Sequence, residues 1–518
     1  MHINRLTLPD IDQWLLAEGR HHHPERWFGA HLHTNSTTTA QWVRFLVWAP
    51  HARSVCVVGD FNAWQIGQTP MQALQGGLWI AVDDHAVIGQ HYQYAIEDAD
   101  GFALPWKADP YAQAMEKKSG CTTPITAGFA PSTWQRPPHS SADPVSIYEV
   151  HLPSWRRDSN GNTLSWQALA ECLPQYVHDL GFTHIQMMPL CAHPFAGSWG
   201  YQPIGLYAPL PDLGDAIGLQ QLVDACHAYG LGVLLDWVPA HFPTDPHGLA
   251  CFDGTPLYES ADPLLAPLMG WNTLRYDYGS PQVQQYLIGS ACYWLEQFGF
   301  DGLRIDAVSA MLYRDYGRSH LAWSKNPQGG REHLEAIEFL QQLCHQLHQR
   351  VPHCLLIAEE STCWQGISRP VGTTGAARWH LGFDYKWNMG WMNDTLRYMS
   401  RPPQERREHA QDMIFGPYYD CSEYFILALS HDEVVHGKGT LLTRMIGERP
   451  EQFDQLRAYL AFMWAHCGKK LVFMGTELAQ DREWHHDRQL DWHMLEHADH
   501  QHMQDFVRQL NQRYRQYP

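Results

Sequence analysis

Residues 232–241 read GVLLDWVPAH, an apolar run that stops on an acid, Asp236, with a histidine five positions later. A short apolar run bounded by glycine has the form of a buried strand. The same form recurs in VSIYEV (145–150), THIQMM (183–188), GLRIDAV (302–308), CLLIAEE (354–360), FILALS (425–430) and KLVFMG (470–475). Helical periods lie between these runs: Leu219, Leu222, Val223 and Cys226, then Val283, Tyr286, Leu287, Trp294, Leu295 and Phe298, then Ile337, Leu340, Cys344 and Leu347. Repeated strand–helix units imply a parallel sheet. Seven runs, with an eighth expected near GFDYKWNMGW (382–391), suit an α/β fold closed as a (β/α)8 TIM barrel better than an open sheet.

A barrel puts its chemistry at the C-terminal ends of its strands. Four acids fall there: Asp236 after GVLL, Asp306 after GLRI, Glu359 after LLIA, and Asp432 after LALSH. Each alone could cap the helix that follows, a contact worth about 1 kcal/mol. Four together, with Arg304, His241 and His431 close in sequence, crowd like charges at one mouth, which is costly unless the charges are used. The chemistry that wants such a set is glycosyl transfer through a covalent intermediate, with one carboxylate as nucleophile and another as acid and then base, about 5–5.5 Å apart. Arg304 points the same way as Asp306, two residues on, and its cation can keep that carboxylate ionised; a purely structural ion pair is the alternative. Glu359, after an apolar run and near other acids, suits a proton donor, whereas Glu360 points to the opposite face and suits a structural contact.

Toward the N-terminus the text changes. From Gln41 to Asp100, short alternating runs such as WVRFLVWAP, SVCVVGDFNAW and LWIAV predict a small β-sandwich. The expected organisation is an N-terminal helical segment over 1–26, the β module over 27–127, a Pro- and Ser-rich linker over 128–144, and the barrel over 145–518. The triple histidine at 21–23 reads as a solvated loop rather than a metal site.

Composition narrows the partners. The 518 residues are 44% hydrophobic and 18% charged, with a net charge of −19 spread along the chain, which argues against a nucleic-acid or anionic-membrane partner. No signal-peptide core or membrane-length apolar run occurs, and the twelve cysteines are scattered without a CxxC pair, so a reduced, cytoplasmic protein is expected. The 22 Trp and 23 Tyr offer flat surfaces on which sugars stack, although such rings are more often simply core.

With these residues in hand, the sequence strongly resembles the α-amylase family of glycoside hydrolases and transglycosylases, whose four motifs are matched by DWVPAH (236–241), GLRIDAV (302–308), IAEES (357–361) and LSHDEV (429–434). Within it the chain is similar to the glycogen (1,4-α-glucan) branching subgroup, through YEVHLPSW (148–155), HPFAGSWGYQPIGLYAP (193–209), FDGTPLYE (252–259) and SHDEVVHGKG (430–439). The early β segment, with VVGDFNAW at 57–64, resembles the glucan-binding module that precedes the barrel in that subgroup.

The resemblance implies Asp306 as nucleophile, Glu359 as general acid/base and Asp432 as stabiliser of the distorted sugar. Asp236, His241, Arg304 and His431 would support the subsite of the reacting sugar, Tyr201 would be the aromatic platform beneath it, and Trp199 a further substrate contact. The implied reaction cleaves an α-1,4 bond, holds the fragment on Asp306 and passes it to a 6-hydroxyl, making an α-1,6 branch in glycogen. The implied partner is an α-glucan, glycogen or amylose, with no nucleic acid or membrane, and the expected state is a monomer. No cofactor is expected, since phosphate-cradling, HExxH and EF-hand spacings are lacking and retaining transfer needs none; a calcium site of the kind some relatives hold stays open. The alternatives are an α-glucan hydrolase of the same family and a truncated glucan-binding protein without turnover. Two departures stand out: Pro153 and GTELAQ (475–480) replace the subgroup's usual residues, and the chain stops at QDFVRQLNQRYRQYP, where the usual C-terminal β-sandwich is expected to be missing.

Overall fold

Eight parallel strands close on themselves in the order in which they occur along the chain. They are β1 (Ser146–Val150), β2 (His184–Met187), β3 (Gly232–Trp237), β4 (Gly302–Ile305), β5 (Leu355–Ala358), β6 (Tyr385–Trp387), β7 (Phe425–Leu429) and β8 (Lys469–Phe473). In this computed structural model, residues 5–34, 40–117, 121–318, 322–372 and 375–518 are described, so the first four residues of the expected N-terminal segment lie outside. The eighth strand, β6, falls within the stretch expected for it.

The crossovers are helical where the periods predict helices. They are α1 (Trp166–Asp179), α2 (Ala216–Ala228), α3 (Pro281–Gln297), α4 (Leu334–Arg350), α5 (Met389–Met399) and α6 (Arg449–Ala465), with α7 (Ala498–Gln516) after β8. Their starts are capped in the usual ways: the Ser165 hydroxyl accepts from the Ala168 N–H at 3.2 Å, Asp215 from Gly218 at 2.8 Å, and Pro281 opens α3. The β5→β6 crossover differs. Among the described residues it carries a single 3-10 turn, Gly375–Trp379, and no α-helix.

Two cores result. Ile147, Leu234, Leu355, Ile357, Trp387 and Ile426 fill the barrel interior, while their neighbours of opposite parity, such as Tyr148, Val233, Leu235 and Leu356, pack outward against the helices.

Ahead of the barrel, two antiparallel four-stranded sheets stack as a sandwich. One contains Gly29–Thr34, Gln41–Trp48, Gln72–Ala73 and Leu78–Asp83, the other Ser54–Gly59, Thr69–Pro70, His91–Glu97 and Thr123–Pro124. A helix, Asp10–Ala17, precedes them. The sandwich is fastened to the barrel by Tyr111, whose ring lies 4.9 Å from Tyr207 and 5.3 Å from Tyr286, and by Lys107, whose buried Nζ donates to the carbonyls of Pro246 and Ala250 at 2.8 Å each. Helix α3 lies between the two bodies, which is why it is buried almost all round instead of on one face. At Gly289 there is no room for a side chain: a Cβ would sit 2.6 Å from the Pro24 ring.

The stretch 128–144 has no helix or strand, yet it is pinned down. The Trp134 ring lies flat on His227 at 3.9 Å, and its indole N–H donates to Asp301 at 2.8 Å. No helix among the described residues is long and apolar enough to cross a membrane.

Candidate active site

The inward-facing row of each strand changes chemistry at the top of the barrel. Ile147, Leu234 and Ile357 fill the interior, and the next residue of the same parity is Glu149, Asp236 or Glu359. On β4 that row holds Arg304 and, just past the strand, Asp306. Strand alternation alone therefore turns a packed core into a charged mouth within two residues.

Arg304 is the centre of this mouth, its side chain 1% exposed. Its Nη1 donates to Asp236 Oδ1 at 2.5 Å and to Asp306 Oδ1 at 2.7 Å, and its Nη2 lies 2.9 Å from Glu359 Oε2. The guanidinium carbon sits 4.5 Å from the Trp387 ring centre. One cation thus gathers carboxylates from three strands. Burial disfavours the charge on Arg304, but Asp236, Glu359 and Asp306 together raise its proton affinity well above the ordinary value.

The carboxylates respond to the same crowding. Burial raises Asp236 to about 6, with Arg304 and the Tyr201 hydroxyl, which donates to Oδ2 at 2.5 Å, pulling the other way. Burial also raises Asp306 well above the usual carboxylate range; Arg304 opposes this, while Glu359 and Asp236 add to it. The expectation that Arg304 keeps Asp306 ionised captures one of these forces and misses the larger one. Three acids thus meet at a single guanidinium, and double displacement requires one carboxyl to donate while another attacks.

Glu359 is positioned by backbone: its Oε2 accepts from the Ala307 N–H at 2.8 Å, and Ala307 adopts a left-handed φ of 51° immediately after Asp306. A non-glycine residue there costs on the order of 1–2 kcal/mol. Glu360 faces away and pairs with Lys386 Nζ at 2.5 Å.

On the opposite wall, burial works against a charge on His431, but the Glu149 carboxylate, 2.9 Å from Nδ1, and Asp432 hold the imidazolium up to about 9. Asp432, with its side chain 43% exposed, lies 3.6 Å from His431 Nε2. Burial would raise it, yet His431, Arg304 and Lys438 outweigh that and keep it below the usual range. Burial, with Arg275 adding, lowers His241 to about 3, so it is neutral, and its Nε2 is 3.9 Å from Asp306 Oδ2. Tyr201 lies nearly parallel to His431 at 5.4 Å. Trp199, itself left-handed at φ 56°, stacks on His436 at 5.3 Å and meets Trp484 edge-on at 4.9 Å.

All nine residues singled out from sequence meet here, and eight of them line one cleft of about 470 Å³: Trp199, Tyr201, His241, Arg304, Asp306, Glu359, His431 and Asp432. Asp236 lies beneath, fully buried. Sequence reasoning missed Glu149, although it is the next-to-last residue of VSIYEV and obeys the alternation that found the others. It also missed Trp271, whose ring is 5.0 Å from His241, and Tyr316, 5.9 Å farther along the rim. Among the described residues, one group of three side chains could hold a metal ion, His485, His486 and Asp487, on a loop where the Trp199 indole N–H donates to His486 at 3.3 Å.

Comparison with known proteins supplies the remaining findings. Residues 27–112 match the model of carbohydrate-binding module 48 (isoamylase N-terminal domain). The chain is 50% identical over 520 residues to the 1,4-alpha-glucan branching enzyme GlgB of Rhodopseudomonas palustris, covering 99% of this chain and 71% of the relative. It is 51% identical over 482 residues to GlgB 2 of Xanthomonas campestris, covering 92% and 65% respectively. Among solved structures, a putative alpha amylase from Salmonella typhimurium superposes with a TM-score of 0.68 at 19% identity, over 95% of this chain and 86% of that one. Pullulanase from Bacillus acidopullulyticus superposes at 0.70 and 18% identity, over 95% and 63%. These structural likenesses speak to the fold, whereas half identity along nearly the whole chain speaks to descent: the protein belongs to the 1,4-α-glucan branching enzyme family.

Proposed function

We propose that this chain cuts an α-1,4-glucan and rejoins the fragment as an α-1,6 branch, with Asp306 as nucleophile, Glu359 as general acid and then base, and Asp432 as the anion that steadies the charged sugar. The observation that carries the reading is the sharing of Arg304 by Asp236, Asp306 and Glu359 at 2.5–2.9 Å. Glu359 protonates the leaving oxygen as Asp306 attacks the anomeric carbon. A glucosyl ester forms, and Glu359, now ionised, takes the proton of the 6-hydroxyl that displaces Asp306. Arg304 neutralises the anions left at each stage, and the Asp432 carboxylate, held beside the His431 imidazolium, faces the developing positive charge of the sugar. The substrate is an α-glucan such as glycogen or amylose, and the site of action is the cytoplasm.

Incubation with linear amylose tests the reading: proton NMR counts α-1,6 anomeric signals against new reducing ends. Branch signals that rise while reducing ends stay level support transfer. Reducing ends rising alone indicate hydrolysis, and no change in either indicates binding without turnover.

A further inference from the structure

Beside the β5→β6 crossover, which carries no α-helix among the described residues, a lane opens at the flank of the barrel. It is a second cleft of about 750 Å³, walled by the loop after β5, the start of α5 and the segment before β7. It is a built feature. The N–H groups of Gly366 and Ser368 and the Ser368 hydroxyl donate to the buried Glu423 carboxylate at 2.6–2.7 Å, fixing the loop against the barrel. The lane meets the catalytic cleft at Ser361, which lines both and stands two residues from Glu359.

Its chemistry is that of a sugar-binding wall. The rings of Trp364, Tyr419 and Phe415 line it, Phe415 being 51% exposed. Asn388, 3% exposed, accepts from the Tyr419 hydroxyl at 3.2 Å through Oδ1 but leaves its Nδ2 donor unsatisfied, and the buried Trp387 indole N–H, also in the wall, is unsatisfied as well. Buried donors without acceptors are costly, and a ligand rich in hydroxyl oxygens relieves that cost. A pyranose offers an apolar face to such rings and hydroxyl oxygens at its rim. The larger cavity of about 910 Å³ is excluded as a competitor, because Asp384, Tyr385 and Tyr424 line it at the N-terminal ends of the strands, away from Glu359.

We propose that this lane holds the acceptor, a second α-1,4-glucan chain lying across Trp364, Tyr419 and Phe415 with one 6-hydroxyl presented to Glu359. The inference rests on the branching reading above. In the step it serves, the C1–O6 bond forms, the ester bond to Asp306 breaks, and the hydroxyl proton passes to Glu359. An acceptor must arrive from the side of the base, and the lane opens there.

The test is the ratio of new α-1,6 bonds to new reducing ends on amylose for the wild type, Phe415→Ala, Trp364→Ala and Trp364→Phe. Loss of one ring contact should lower the ratio by about three- to tenfold in both alanine variants, with Trp364→Phe restoring most of it. Melting temperatures within about 2 °C of wild type establish that the fold is kept. An unchanged ratio in both alanine variants overturns the acceptor lane, as does an equal fall in branching and cleavage. A wild type that releases reducing ends without branches overturns the branching reading itself, and the lane with it.

Discussion

Replacing Glu149 with Gln removes the charge that keeps His431 protonated, and its effect should depend on pH in a direction fixed by the geometry. Glu149 accepts from the His431 backbone N–H and lies against Nδ1, both at 2.9 Å, with the two side chains 0% and 2% exposed. The folded imidazolium titrates near 9 against about 6.5 for a free histidine. A raised folded value means that protonation stabilises the fold in full below about pH 6.5 and that this contribution disappears as pH rises through 9. The gap is worth about 3 kcal/mol, of which Glu149, the largest favourable charge, supplies most; Asp432 supplies the rest. At roughly 1 kcal/mol per °C for a chain of this length, Glu149→Gln should melt about 2–3 °C below wild type from this contribution at pH 6. That share of the gap should close by pH 9.5, where both proteins hold a neutral His431. Scanning calorimetry at matched ionic strength and scan rate measures it. An equal gap at both pH values would refute the assignment of the raised imidazolium to Glu149.

Four further outcomes are expected. Asp306→Asn and Glu359→Gln should each lower kcat/KM by at least about 10³-fold while circular dichroism and melting stay near wild type; near-normal rates in both would sink the site. Arg304→Lys keeps a charge but not a fork able to bridge three carboxylates, so kcat/KM should drop on the order of 10²-fold, and a variant within fivefold of wild type would count against the shared-cation reading. Tyr201→Phe withdraws a hydrogen bond from Asp236, which already titrates at about 6, so the acid limb of the pH–rate profile should move up by about half a unit to one unit; a limb that stays or moves down contradicts it. Lys107→Met leaves the carbonyls of Pro246 and Ala250 without their buried donor and should cost about 2 kcal/mol, read as a melting temperature about 2 °C lower.

The acids at the barrel mouth were legible because strand alternation is local: an apolar run ending on Asp236 or Glu359 announces both its strand and its direction. Glu149 obeys the same alternation, but its partner His431 lies 282 residues away, so no local stretch shows what it does. The reach of Arg304 was legible only toward Asp306, two positions along its own strand. Its contacts with Asp236 and Glu359 depend on register between strands, which no single stretch encodes. For the same reason the raised proton affinity of Asp306 could not be read, since it sums charges converging from other strands. Strand β6 was hard to bound because it is three residues long and carries Lys386 in its middle. The crossover after β5, without an α-helix among its described residues, has no positive signal at all, only the lack of a period over 359–384.

The pairing that closes the barrel sets Ser146 beside Lys470. A ribosome adding about 5–20 residues per second takes about 15–65 s to travel from one to the other. Throughout that interval the first strand has emerged without its final neighbour, and Glu149 waits in solvent for a histidine not yet translated. The charged mouth of the barrel is therefore among the last parts of the molecule to exist. Codons that slow elongation between 150 and 430 lengthen the time during which an open, apolar sheet edge faces the crowded cell, so yield of active enzyme is tied to translation speed as well as to the stability of the finished fold.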